Sequence, residues 1–262
     1  MSDVRRALIW GVDLGLKDRR ALVTAASKGL GRACAEALIA EGAKVYISSR
    51  QPEATGREIG AAGWLASDVS KEDEPERLVG EAARVLGGLD IVIVNAGGPP
   101  PGTFQTTPLQ AWEAGFQLTL LSAVRLVRAA LPHLKQSDHG RIVFITSISV
   151  RQPIPNIVIS NAMRAGVTGL AKTLAREFAP DGITVNCLAP DAILTDRLRD
   201  IARSRGVDPE EQITQAAKAA PMRRLGDPAD FGAACAFLCS HQAGYITGQT
   251  LGIDGGSLLG VH

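Results

Sequence analysis

The chain has 262 residues, 45% of them hydrophobic, and a formal net charge of +1. That length suits one doubly wound domain with a sizeable core, and near-neutrality gives no electrostatic reason for a nucleic-acid or membrane partner. The four cysteines (Cys34, Cys187, Cys235, Cys239) lack paired metal-ligand spacing, so no metal site is expected and they read as buried thiols in a reducing compartment. Arg5–Trp10 has the basic-then-apolar look of a signal peptide, but its apolar part is short and Asp13 interrupts it. No unbroken apolar run approaches the roughly 18 residues that span a bilayer. A cytoplasmic protein is expected.

Residues 1–13 read as an N-terminal extension and 14–262 as one domain. Ala21–Val23 is a short apolar run expected to be a buried strand. It meets a turn of small residues that opens into a helix over Arg32–Glu41, with Ala33, Ala37 and Leu38 at helical spacing. Strand, small-residue turn and helix together set a helix N-terminus and free backbone N–H groups against a pyrophosphate. Gly29 and Gly31 allow the close backbone approach, although such a turn alone also serves as an ordinary strand-to-helix connection.

Lys44–Ser48 forms the second strand and ends at Ser48-Ser49-Arg50. In dinucleotide-binding folds an acid about 20 residues past the glycines binds the ribose 2′-hydroxyl, and an arginine there accommodates a 2′-phosphate. Arg50 stands 21 residues after Gly29 with no acid beside it, and Lys28 adds a cation inside the turn. Their joint placement favours NADP(H) over NAD(H); the competing reading is two solvated basic residues.

Trp64–Ala66 is the third strand, closing on Asp68-Val69, and Lys71–Leu86 is an amphipathic helix. Ile91–Val94 is an unbroken apolar run, as expected of a strand buried on both faces. It stops at the turn Asn95-Ala-Gly-Gly-Pro-Pro-Pro-Gly102. Pro108–Leu134 reads as one long helix with Trp112, Phe116, Leu120, Val124, Val127 and Leu131 on a single stripe. Arg141–Thr146 follows as strand five, then Ile157–Ala179 as a helix rich in small residues (Ala162, Ala165, Gly166, Gly169). Thr184–Leu188 is strand six, Asp227–Cys239 a helix and Thr250–Ile253 the last strand. Between them lies Asp196–Ala220, polar and long enough for a helical substrate lid. Its Arg197, Arg199, Arg203 and Arg205 hint at an anionic substrate, and a solvated lid face explains them equally well. The alternation predicts a single-domain Rossmann fold of the α/β class: a doubly wound, seven-stranded parallel sheet with helices on both faces. A ligand should sit at the carboxyl ends of the strands, near the switch in strand order.

Several segments stand in one order and spacing: Val23-Thr-Ala-Ala-Ser-Lys-Gly-Leu-Gly31, Asp68-Val69, Asn95-Ala-Gly97, Gly140-Arg-Ile-Val-Phe-Ile-Thr-Ser147, Leu174-Ala-Arg-Glu177, Val185-Asn186, Ala189-Pro190 and Tyr245-Ile-Thr-Gly-Gln-Thr-Leu-Gly-Ile-Asp-Gly-Gly256. In these the chain resembles a classical short-chain dehydrogenase/reductase, near the β-ketoacyl-acyl-carrier-protein reductase branch, from about Leu14 to Gly256. The resemblance implies a nicotinamide cofactor held at the turn by Thr24, Ser27, Lys28, Gly29, Leu30 and Gly31. Asp68 and Val69 should meet the adenine, Asn95, Ala96 and Gly97 should line the adenosine side, Thr195 should lie near the nicotinamide carboxamide, and Pro190 should also bind the cofactor. It also implies a homotetramer acting on a small molecule.

The family's active site uses an Asn, a Ser and a Tyr-x-x-x-Lys pair. Ser147 matches the serine; thirteen residues on, where the tyrosine belongs, stands Ser160, and the lysine position holds Arg164. Thr119, seven residues after Trp112, takes the asparagine position. Ala25 replaces the first glycine of the turn, Val94 the first asparagine of Asn-Asn-Ala-Gly, and Asp191 the glycine after Pro190. The chain thus looks like a divergent subgroup lacking the usual Tyr/Lys pair. Ser160 and Arg164, four apart, share a helix face. A serine hydroxyl is a much weaker acid than a lysine-assisted phenol and falls short by roughly 4 Å, space for about one water. Arg164 can hold ribose hydroxyls, also serving the cofactor, but a guanidinium cannot lend a proton. Tyr46, Tyr245, His133 and His139 are expected in the core or on the surface. Three readings follow. The first is an NADP(H)-dependent oxidoreductase acting on a carbonyl (3-oxoacyl-like) or an alcohol, with Ser147 as oxyanion donor and a Ser160-held water as proton source. The second is an NADP(H)-binding protein with little or no turnover, and the third a non-redox enzyme such as a lyase.

Overall fold

The computed structural model describes residues 12–204 and 206–260, so the expectations for residues 1–11 and for Arg205 lie outside the described residues, as does the Arg197 side chain. The strands are β1 (Arg20–Val23), β2 (Lys44–Ser49), β3 (Gly63–Ala66), β4 (Ile91–Val94), β5 (Arg141–Ile145), β6 (Thr184–Pro190) and β7 (Thr250–Ile253). The helices are α1 (Gly29–Ala40), α2 (Glu53–Glu58), α3 (Glu74–Leu86), α4 (Leu109–Gly115), α5 (Ser122–Leu134), α6 (Val158–Phe178), α7 (Asp196–Ser204), α8 (Pro209–Ala219) and α9 (Pro228–Cys239).

The strands form one parallel sheet in the order β3-β2-β1-β4-β5-β6-β7. Successive side chains of a strand point to opposite faces, and both faces are covered. Leu22, Val92, Val94, Ile142, Phe144, Val185 and Cys187 pack against α3, α5 and α6. Ala21, Val23, Ile91, Ile93, Val143, Ile145 and Leu188 pack with α1 and α9 residues such as Leu38, Phe231 and Cys235. This double burial is why β4 is an unbroken apolar run. All four cysteines are buried and unpaired by disulfides.

Local chemistry sets several boundaries that periodicity alone misplaces. Pro75 fits only the first turn of a helix, so α3 begins at Glu74 rather than Lys71. The lid is two helices: the Asp208 carboxylate accepts the Glu210 and Glu211 N–H groups, both at 2.9 Å, and starts α8 afresh. The expected helix over Pro108–Leu134 is interrupted by a π-helical segment, Phe116–Leu121. Of the stripe read from the sequence only Val127 is fully buried; the inward side carries Thr119, Ser122, Ala123, Leu126, Ala130 and Leu134, while Phe116 and Val124 remain 40% and 36% exposed. By length and composition Leu109–Leu134 could cross a membrane, but its inner side belongs to the main core cluster. The short α2 is not foreseen by the periodicity of the sequence.

At the amino end of the sheet Asp90 is buried in a donor cage. Arg20 gives it a backbone N–H (2.8 Å), Nε (2.9 Å) and Nη2 (2.6 Å), and Ser137 Oγ donates at 2.5 Å. Burial alone would raise its pKa, but the hydrogen bonds from Arg20 and Ser137 prevail and bring it down to about 2. In the unfolded chain it titrates near its ordinary value of about 3.9. The pair therefore contributes fully above about pH 4 and is lost as pH falls toward about 2. Urea unfolding from about pH 5 to about pH 2 should cost the natural protein roughly 2 kcal/mol that Asp90→Asn, already weaker at neutral pH, does not lose.

Candidate active site

The small-residue turn joins β1 to α1 at the switch in strand order, between β1 and β4. Thr24 Oγ1 donates to the Asn95 carbonyl (2.7 Å) and accepts the Asn95 N–H (2.8 Å), tying together the ends of both strands. Asn95 Nδ2 in turn donates to the Ala25 carbonyl at 3.3 Å. Gly31 packs against this corner: a Cβ there would lie 2.5 Å from the Ala25 oxygen and 2.8 Å from Asn95 Nδ2, so no larger residue fits. Gly29 adopts a positive φ of 58°, and a Cβ on it would lie 3.7 Å from Thr195 Cγ2. The segment after β6 thus closes over the turn. Lys28 is the extended N-cap residue of α1 and makes no side-chain cap, and Leu30 follows in the first helical turn. The Ser27 carbonyl accepts Thr55 Oγ1 (2.9 Å), which moors α2 to the turn.

A cavity of about 490 Å³ opens beside this cradle, lined by Arg50, Ser67, Asp68, Lys71 and Arg77 among others. Ser70 donates its hydroxyl (2.7 Å) and N–H (3.1 Å) to Asp68 Oδ1. These bonds, with Lys71 and Arg50 nearby, hold the Asp68 carboxyl below its ordinary range. Arg77 is committed to Glu74 and to the Ala66 carbonyl. Lys71 is the residue that sequence reasoning missed here; its one signal is its place three residues after Asp68. Lys28 is exposed and does not line this cavity. Val69 is buried, whereas Ala96 is half-buried and Gly97 exposed along the turn after β4.

Farther along the carboxyl edge, β5 ends and Ser147 caps a 3-10 turn, its Oγ accepting the Ser149 N–H at 3.1 Å. Arg164 Nη1 donates to the Ile145 carbonyl at 2.8 Å, which brings α6 onto the end of β5 two residues from Ser147. Ser160, half-buried, lies one turn earlier on α6. Thr119 sits in the π-helical segment, 5% exposed, and its Oγ1 has no protein partner. The Ser149 hydroxyl, which the sequence did not single out, is likewise buried without a partner. π-Helical segments and orphaned polar atoms are both common at functional sites. Tyr46 lies in the core and Tyr245 is fully exposed. His139 is buried at the opposite end of the sheet, its Nε2 2.7 Å from the Cys239 carbonyl. Two lid cations are occupied on the lid itself, Arg199 by Glu210 and Arg203 by Asp200, which removes much of their value as a signal for an anionic substrate.

Residues 24–257 match the enoyl-(acyl carrier protein) reductase family. The human dehydrogenase/reductase SDR family member 4 is 34% identical over 251 residues, covering 92% of this chain and 88% of that protein. The chain belongs to the short-chain dehydrogenase/reductase family. The 3-oxoacyl-[acyl-carrier-protein] reductase of Staphylococcus epidermidis is 33% identical over 250 residues, covering 92% of this chain and all of its own length. Among solved structures, the L-sorbose reductase of Gluconobacter frateurii, complexed with NADPH and L-sorbose, superposes with a TM-score of 0.88 at 30% identity, over 95% of this chain and 100% of that one. As a short-chain dehydrogenase/reductase, the protein is an oxidoreductase of CH–OH and C=O groups that uses a nicotinamide cofactor. The cradle fits such a group: Gly31 cannot carry a Cβ, α1 presents its N-terminus to the turn, and buried hydroxyls of Thr119 and Ser149 have no protein partner.

Ala25 has a positive φ of 49°. A left-handed conformation costs an L-residue about 1–2 kcal/mol, so Ala25→Gly should stabilise the fold by roughly 1 kcal/mol, or about 2 °C in Tm. Thermal unfolding checks this, and an unchanged or lower Tm would contradict it.

Proposed function

We propose that this short-chain dehydrogenase/reductase is a cytoplasmic NADP(H)-dependent enzyme that reduces a small 3-oxoacyl-like carbonyl compound, or oxidises the corresponding alcohol, without the usual tyrosine and lysine. The observation that carries the reading is the Arg50 cation on the wall of the Asp68 cavity, where a 2′-phosphate beside the adenosine would be neutralised. The NADPH complex of the sorbose reductase lends support. Thr24, Ser27, Lys28, Gly29, Leu30, Gly31, Asn95, Ala96, Gly97, Val69, Pro190 and Thr195 would complete the cofactor's bed.

When bound, the nicotinamide supplies the hydride. Ser147 Oγ accepts from the Ser149 N–H, so its own proton is free to point at a carbonyl oxygen. Arg164, fixed on the Ile145 carbonyl, sets a permanent positive charge toward the oxygen as it becomes negative. It would also hold ribose hydroxyls of the cofactor. Ser160, on the same face of α6, would position the water that delivers the proton, and Thr119 Oγ1 would bind on the inner side of that site. Residues 14–262 act as one domain with 196–220 as lid. The exposed Phe116 and Val124 supply the outer face on which a homotetramer would pair α5 and α6 about a two-fold axis.

A second reading is an NADP(H)-binding protein with little turnover. The observation favouring it is that neither tyrosine reaches the site: Tyr46 is 2% exposed in the core and Tyr245 lies on the surface.

Replacing Arg50 with Ala should weaken NADPH binding about 10- to 100-fold and NADH binding little, because NADPH alone offers the phosphate. Fluorescence titration of both cofactors measures the difference, and equal losses would count against the assignment. The double change Ser160→Tyr with Arg164→Lys should create or raise carbonyl reduction by about 10²–10⁴-fold, with Ser160→Tyr alone giving less. A carbonyl panel followed by NADPH absorbance checks this. Tight NADPH binding with no turnover by either protein would select the second reading.

A further inference from the structure

Asp191 stands at the carboxyl end of β6, at a place the cofactor bed and the proton relay do not yet use. Its N–H donates to the Ile253 carbonyl at 3.2 Å, so the ladder with β7 continues one residue past the last strand pair, Pro190 and Ile253. The pleat therefore still applies. It directs Asp191 to the same face as Val185 and Cys187, whose neighbours include Val167 and Ala171 of α6. That is the face from which Ser160 and Arg164 approach. The β5–β6 register pairs Ile145 with Leu188; two residues on, Ser147 comes level with Pro190, and adjacent strands lie about 4.8 Å apart. Four residues beyond Asp191, Thr195 meets Gly29. The segment 191–195 thus runs from the reaction end of the cleft to the cradle.

The side chain has no evident structural duty. Asp191 is half-buried, and its carboxylate has no hydrogen-bond or ion-pair partner among the described residues. Its φ lies outside the left-handed region, so the backbone does not demand a particular residue. An unpaired, partly desolvated carboxylate is costly until a cation or donor arrives. The oxidised nicotinamide ring carries a positive charge and the reduced ring none.

We propose that Asp191 is a cofactor-state selector: resting on the NADP(H) reading above, its carboxylate stabilises the bound oxidised nicotinamide relative to the reduced form. On the protein this makes the reduced cofactor the stronger hydride donor, which suits a site deprived of its usual acid. Removing the carboxylate leaves the Arg164 charge on α6 in place and turns the local field against the cationic ring.

The test is the pair of dissociation constants for NADP⁺ and NADPH, by calorimetry, for the natural protein, Asp191→Asn, Asp191→Gly and Asp191→Glu. For one charge at partly solvated range, the Asn and Gly variants should bind NADP⁺ on the order of 10-fold more weakly. NADPH binding should change less than about twofold, and Glu should restore the natural ratio. Equal losses for both cofactors would reveal a packing role and overturn the proposal, as would an unchanged ratio. The readout needs no turnover, so a protein that reduces no carbonyl still decides it. If neither cofactor binds the natural protein, the NADP(H) reading fails and the selector role falls with it.

Discussion

The Thr24 hydroxyl, bridging the ends of β1 and β4 by two hydrogen bonds to Asn95, holds the corner on which the rest of the site depends. It fixes the two strands at the point where the strand order reverses, and so fixes the direction in which the chain leaves β1. The Ala25 carbonyl, received by Asn95 Nδ2, then leaves room for nothing larger than glycine at position 31. From that corner α1 starts with its N-terminus toward the cleft, and its aligned peptide dipoles add positive potential there beside the Lys28 charge. Ala25 holds a left-handed conformation within this same turn. The corner accepts local strain because the strands on either side over-determine it.

Charge is sorted by the ends of the sheet. At the amino end ionised groups are consumed by structure: Arg20 is spent on Asp90, and buried Arg141 donates to the Ser240 and Gly140 carbonyls. With His139 on the Cys239 carbonyl, Arg141 covers the last carbonyls of α9, where a helix terminus welcomes donors. Burial and the neighbouring Arg141 push the His139 pKa down. At the carboxyl end Arg50, Lys71 and Asp68 line the cavity beside the cradle. A parallel sheet produces this division, since every strand and every following loop points the same way.

Much of this arrangement was legible from residue order. All seven strands were legible; the central ones, β1, β4 and β5, read as apolar runs because strands buried on both faces admit few polar residues. The small-residue turn announced the cradle, and the spacing of Ser160 and Arg164 put them on one helix face. The Asp208-Pro209 pair is a readable helix start, and it begins α8 within the polar lid segment. Thr119 was found only by its position relative to Trp112; no local pattern indicates that a π-helical turn would carry it inward, since that depends on how the helix from Leu109 to Leu134 beds against the sheet.

The sequence by itself determined the seven strands, their parallel order, the glycine turn and the placing of Ser160 and Arg164 one turn apart on α6. These are local matters of period, residue volume and chemical type. Only the tertiary structure decided that Arg164 would grip the end of β5, that Lys71 would join Arg50 on one cavity wall, and that lid arginines would be taken up by lid acids. It also decided that the pleat carries Asp191 toward α6 rather than α9. Apart from the Arg203–Asp200 pair, three residues apart within α7, each of these outcomes is a meeting of residues from separate elements, set by strand register and helix docking, about which short-range spacing holds no information.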